Sequence, residues 1–107
     1  MVSRPADHCP HCGGRLATTD VDGREHFSCD DCDRTVWHNP VPCANVAVVD
    51  GDAVLLVRRA AEPGVGDWTI PGGHLERDES PAEGAARELR EETGLAVGSG
   101  ELSLYDA

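Results

Sequence analysis

The apolar residues of this chain fall in short runs separated by turn signals, the pattern of a mixed fold with small sheets. The clearest run is Val46-Ala47-Val48-Val49, which meets Asp50-Gly51 and returns as Ala53-Val54-Leu55-Leu56-Val57 before Arg58 and Arg59. Two apolar runs around an Asp-Gly pair predict a β-hairpin. A second hairpin is predicted upstream, where Leu16-Ala17-Thr18-Thr19 and Arg24-Glu25-His26-Phe27-Ser28 flank Asp22-Gly23. A loop rich in Gly and Pro from Glu62 to Asp67 leads into a short strand-like Trp68-Thr69-Ile70 and then Pro71-Gly72-Gly73. Ser80-Pro81-Ala82-Glu83 has the form of a capping box with proline at the first helical position, and Gly94 stands where a C-terminal glycine cap belongs. A helix is therefore expected over residues 81–93, with Ala85 and Leu89 turned toward the sheet. Glu101-Leu102-Ser103-Leu104-Tyr105 can supply one further strand, and Cys43, at the head of the apolar run, reads as a buried strand thiol.

The N-terminal third is organised by cysteines. Cys9-Pro10-His11-Cys12 and Cys29-Asp30-Asp31-Cys32 are CxxC pairs separated by 16 residues, a spacing that fits a four-cysteine zinc site. Each CxxC turn can set two thiolates on one side of a metal, and the second turn completes the tetrahedron that Zn2+ accepts. Disulfides suit poorly a chain with no apolar leader at its start, and a redox CxxC belongs in a βαβ setting that the residues around Cys9 lack. The segment reads as a zinc ribbon with a structural Zn2+ held by Cys9, Cys12, Cys29 and Cys32. His8, His11 and His26 are nearby, but four thiolates already satisfy the metal. Two prolines in Trp37-His38-Asn39-Pro40-Val41-Pro42 put the expected boundary near Asn39, dividing the chain into residues 1–38 and 39–107.

Composition narrows the picture. The chain has 107 residues, with 20 Asp or Glu against 9 Lys or Arg, and all of the cations are arginine. A formal charge of -11 repels duplex nucleic acid, and any phosphate-bearing ligand needs local help from a divalent metal or a few placed arginines. The acidic, lysine-free balance also resembles that of proteins from salt-loving organisms. No stretch approaches the roughly 20 apolar residues of a membrane helix, so a soluble, cytoplasmic protein with no membrane partner is expected.

The predicted helix carries the candidate chemistry. At 100° per residue Glu88, Glu91 and Glu92 fall within an arc of about 100°. Such a face is either a solvated acidic surface of an acidic protein or a set of hard oxygen donors for Mg2+. The wider spacing bears on that choice. Gly73, five residues, Glu79, seven residues, then Arg87-Glu88-Leu89-Arg90-Glu91-Glu92-Thr93-Gly94-Leu95 matches every specified position of the Nudix box, and Trp68 to Gly73 resembles that family's lead-in. The chain thus resembles a Nudix, or MutT-type, hydrolase with an N-terminal four-cysteine ribbon.

The resemblance implies an α+β fold, a Nudix-type αβα sandwich preceded by a small zinc ribbon. It implies Glu88, Glu91 and Glu92 as ligands of Mg2+ or Mn2+, joined by the carbonyl of Gly72 or Gly73. Arg87 would orient the carboxylates by ion pairing, with Glu79 among its partners, and Glu88, with Glu92 second, would be the general base. Trp68 would wall a nucleotide pocket, although a lone tryptophan beside a strand is more often packing, and Arg58 and Arg59 would supplement the metal against an anionic substrate. The implied reaction is hydrolysis of the pyrophosphate in a nucleoside diphosphate linked to another moiety, such as ADP-ribose or a dinucleotide. Further strands and a second helix follow the box in the family fold, whereas this sequence ends 12 residues after Leu95. A homodimer is one arrangement that would lend the missing surface. The alternative function is a non-catalytic module that binds a nucleotide or a protein.

Overall fold

The computed structural model describes residues 4–106. They form two compact units, one ending at Val41 and the other beginning at Pro42.

The first unit is a three-stranded antiparallel sheet in the order β1 (Leu16–Val21), β2 (Arg24–Cys29), β3 (Arg34–Val36). Its first hairpin closes at Val21 and Arg24, with Asp22 and Gly23 at φ 53° and 81°. In a type I′ turn, whose twist matches that of the strands, both central residues take positive φ, which is why Asp-Gly serves there. Asp20 Oδ1 accepts from the Gly23 amide at 3.1 Å and fixes the turn. The core is slight: Cys9, Cys29 and Val36 are buried, with Ala6, Leu16, Phe27 and Cys32 packed against them.

The second unit pairs short strands. β4 (Cys43–Asn45) runs antiparallel to β9 (Gly72–His74), β5 (Val49–Asp50) to β6 (Ala53–Val54), and β7 (Val57–Arg58) to β8 (Trp68–Thr69). The expected hairpin is present, but its closing pair is Asp50 with Ala53. The turn is therefore Gly51-Asp52, one residue later than the Asp-Gly signal, with Gly51 at φ 59° as the first central residue. Backbone bonds from Val46 to Pro71 at 2.8 Å and from Leu55 to Val48 at 2.9 Å carry the ladders past the strand ends.

Helix α1 (Pro81–Thr93) has the expected caps. Ser80 Oγ accepts from the Glu83 amide at 3.2 Å, while the Glu83 carboxylate accepts from the Ser80 amide at 2.8 Å. Gly94 closes the helix at φ 80°, its N–H donating to the Arg90 carbonyl, a left-handed position that favours glycine. α1 lays Ala85 and Leu89 on Ala44 and Val46, and Val48, Leu55, Leu75, Val97 and Leu102 pack around this core. At Gly84 a Cβ would strike a methyl of Leu75, which would have to turn aside to admit it.

Two expectations are corrected. Residues 101–105 do not form a strand: Ser99–Glu101 is a single 3-10 turn. Beyond it Leu102 packs on the core, but Leu104 and Tyr105 are 81% and 82% exposed. No strand among the described residues offers that stretch a ladder. Cys43 lies in β4 but is exposed, because Ala44 takes the inward position and side chains alternate along a strand. Among the described residues no helix is long and apolar enough to cross a membrane.

Candidate functional site

Cys9, Cys12, Cys29 and Cys32 converge in the first unit, their sulfurs all within 4.8 Å of one another. Cys9 and Cys32 are 3.7 Å apart and Cys12 and Cys29 3.4 Å. Four thiolates at about 2.3 Å from a tetrahedral zinc are separated by roughly 3.8 Å, so the donor set and its spacing fit that metal. A tight knuckle presents the first pair: the Gly13 amide donates to the Cys9 carbonyl at 2.8 Å and the Cys9 amide to the Gly14 carbonyl at 2.9 Å. Burial pushes the Cys9 thiol up, but the amides of His11 and Cys12 outweigh it and bring it down to about 7. Burial and the neighbouring Cys29 push Cys32 up to about 12. The nearby histidines face other partners: His11 Nδ1 lies 3.2 Å from Arg34, and the His26 ring meets Trp37 edge to face at 4.8 Å.

In the second unit Arg87 is the hub. Its Nε and NH2 fork onto both oxygens of Glu79 at 2.6 and 2.9 Å. NH1 reaches Glu88 Oε1 at 3.0 Å and Glu91 Oε2 at 3.2 Å, and NH2 also donates to the His74 carbonyl at 3.0 Å. One guanidinium thereby ties the loop before α1, the helix itself and strand β9 together, a use of the planar fork that lysine cannot reproduce. Glu79 Oε1 also accepts from the Glu76 amide at 2.7 Å. Arg87, followed by that amide, holds the Glu79 carboxyl below its ordinary range, and Glu79 in turn pushes the guanidinium further up.

The helix meets β9 at its two glycines. A Cβ on Gly73 would fall 2.6 Å from the Glu88 carboxyl carbon and 2.7 and 2.8 Å from its oxygens. The Gly72 amide donates to Glu92 Oε2 at 3.3 Å. Glu79, Glu88 and Glu91 thus all meet Arg87, with Gly73 beneath Glu88 and Glu92 on the adjacent Gly72. The three helical glutamates do not draw together as the cysteines do. Glu88 and Glu91 share Arg87, Glu92 takes the amide, and the four cysteines are the only such ligand cluster among the described residues. Glutamate oxygens beside a glycine backbone are nonetheless the hard donor set that Mg2+ takes.

Trp68, Arg58 and Arg59 form a separate group. Arg58 pairs with Trp68 across β7 and β8, its guanidinium carbon 5.9 Å from the ring centroid, and the indole is 64% exposed. Arg58 Nε donates to the Gly66 carbonyl at 3.0 Å, and Arg59 Nε to the Pro63 carbonyl. Both arginines brace the 62–67 loop. The sequence reading did not include the His74 carbonyl or the Glu76 amide, since a backbone group carries no residue-type signal.

A family model for the NUDIX domain matches residues 39–106. The chain is 49% identical over 71 residues to an octanoyltransferase of Myxococcus xanthus, covering 63% of this chain and 20% of that protein. It is 34% identical over 89 residues to the NAD-capped RNA hydrolase NudC of Vibrio atlanticus, covering 83% of this chain and 32% of that one. The crystal structure of a NUDIX hydrolase from Nitrosomonas europaea superposes with a TM-score of 0.71 at 32% identity, over 78% of this chain and 49% of that one. The chain spans 20% to 39% of the length of the first curated relatives it matches. With the family match running over the segment in which Arg87 gathers Glu79 and the helical glutamates above the two glycines of β9, the chain belongs to the Nudix family.

Proposed function

We propose that the chain hydrolyses the pyrophosphate bond of a nucleoside diphosphate linked to another moiety, with Mg2+ or Mn2+ held by Glu88, Glu91, Glu92 and the Gly73 carbonyl. The observation that carries this reading is the Arg87 fork, which sets three carboxylates from a loop and a helix against a strand of bare glycine. A solvated acidic face would have no use for such an arrangement. When bound, the divalent ion would neutralise phosphate charge and make water a better nucleophile. Glu88 Oε1 is engaged by Arg87, so Oε2 is the oxygen left to take the proton from the attacking water; Glu92 is the next carboxylate able to do so. Arg87 and Glu79 act as positioning residues. Zn2+ on the four cysteines is structural in this reading, because four thiolates leave no open position for water.

The NAD-capped RNA hydrolase among the relatives supports a dinucleotide or a nucleotide joined to a larger group as the substrate class. The test is release of phosphorylated products from ADP-ribose, NADH and nucleoside triphosphates in Mg2+, for this chain and its Glu92→Gln variant. Turnover abolished in a variant that stays folded is the expected result; equal rates would remove Glu92 from the site. A second reading, a nucleotide- or protein-binding module without turnover, draws on the pairing of Glu88 and Glu91 with Arg87 in place of a shared ligand cluster. A folded, zinc-loaded chain that turns over none of these compounds would favour it.

A further inference from the structure

Asn45 is an unusual residue for its place. Asparagine is depleted in strands, yet it ends β4 directly opposite Gly72 of β9. Directly opposed residues share a face of the sheet. The preceding Ala44 turns into the core against Ala85 and Leu89 under α1, so Asn45 stands on the other face, where it is exposed. Its Oδ1 lies over Gly72 so closely that a Cβ there would collide with it, as it would with the Ala44 carbonyl oxygen at 2.6 Å. Gly72 therefore leaves room for the Asn45 carboxamide on one face while its amide holds Glu92 at the strand edge. The Asn45 side chain has no hydrogen-bond partner among the described residues. A carboxamide offers a donor and an acceptor side by side, here uncommitted and one glycine away from a site carboxylate.

We propose that Asn45 is a specificity-determining residue. Its carboxamide pairs with a donor–acceptor edge on the ring joined to the diphosphate, as the diphosphate reaches Glu92 around the edge of β9 and the ring lies on the open face of Gly72. Two rings of nucleotide substrates carry that edge: adenine, through its amino group and adjacent ring nitrogen, and nicotinamide, through its own carboxamide. The ligand class rests on the pyrophosphatase reading; the placement of Asn45 does not.

The test measures binding by calorimetry with Ca2+ in place of Mg2+, and turnover in Mg2+ in parallel. ADP-ribose is compared with its purine riboside analogue, in which hydrogen replaces the adenine amino group so that no donor–acceptor edge remains, and NAD+ with nicotinic acid adenine dinucleotide, which lacks the amide donor. The full chain is expected to prefer the donor-bearing member of one pair by roughly tenfold. Asn45→Leu, close in shape, and Asn45→Thr, which favours a strand, should both bring that ratio near one, and the pair affected identifies the ring. Ratios alike in parent and variants, an equal loss on every ligand, or no binding by the parent chain would overturn the proposal. A parent chain that discriminates in Ca2+ through Asn45 but turns over nothing in Mg2+ upholds Asn45 and refutes the hydrolase reading. Turnover with selectivity independent of Asn45 does the reverse.

Discussion

Every nitrogen of the Arg87 guanidinium is engaged, and three of its four partners are carboxylates. Charge alone would be kept by lysine, but the simultaneous grip on Glu79, Glu88 and the His74 carbonyl would be lost. Arg87→Lys should therefore lower turnover or Mg2+ affinity by about 10- to 100-fold, the usual effect of removing a residue that orients metal ligands. Titrating Mg2+ against rate in both proteins checks this; an unchanged profile would mean that Arg87 positions nothing the reaction uses. Gly73 makes a complementary case. A methyl at that position would meet the Glu88 carboxylate, so Gly73→Ala should displace Glu88 and depress turnover while the helical circular dichroism stays. The Gly-to-Arg spacing of the box was legible because those residues declare themselves by type. Asn45 and the His74 carbonyl were not, because their meaning lies in what faces them across a ladder.

At the scale of elements, α1 is the best determined part of the chain. Its start and stop are written in adjacent residues: Ser80 and Glu83 satisfy each other's amides, and Gly94 takes the left-handed cap. Ser80→Ala should cost about 1 kcal/mol of stability, read as a lower midpoint in a urea titration. Hydrogen bonds from Ser80 hold the Glu83 carboxyl below its ordinary value, and Arg87 does the same for Glu79. A depressed folded-state value means that the stabilisation is fully present above the unfolded carboxyl value of 4.5 and is lost as pH falls through the folded values. Thermal midpoints measured downward from pH 6 should fall on that acid limb, and Glu83→Gln should flatten the fall. Strands were harder to read. The 16–29 hairpin is local and its Asp-Gly turn fixes the register, whereas a strand over 101–105 needs a neighbour, and sequence cannot promise one. The apolar run from Val46 to Val57 shows the same limit: Val48 and Leu55 reach the core, while Val49 and Val54, directly opposite each other, remain exposed.

At the scale of the whole molecule, the small cores and the charge set the stability. Among the described residues the ribbon buries only Cys9, Cys29 and Val36, and two of these three belong to the four-cysteine cluster, so a metal bound there would supply most of what holds it. Chelation of freshly purified protein should release about one zinc per chain and unfold the residues up to Val41, since structural zinc contributes roughly 10 to 16 kcal/mol of apparent binding energy; protein isolated without zinc would refute this. Charge acts throughout the molecule. With 20 acidic residues against 9 arginines, most carboxylates have no cation to face, and their mutual repulsion opposes the compact state. The Debye length contracts from about 10 Å at 0.1 M salt to about 3 Å at 1 M, so salt should relieve repulsion between exposed carboxylates. The same salt weakens exposed pairs such as Arg4 with Asp7, which contribute little, and reaches less well the half-buried Arg87 fork. Repulsion should therefore dominate the balance, and the thermal midpoint should climb steadily between 0.1 and 2 M NaCl. A midpoint that falls over that range would mean that the ion pairs around Arg87 outweigh the net charge, and would end the comparison with proteins adapted to salt.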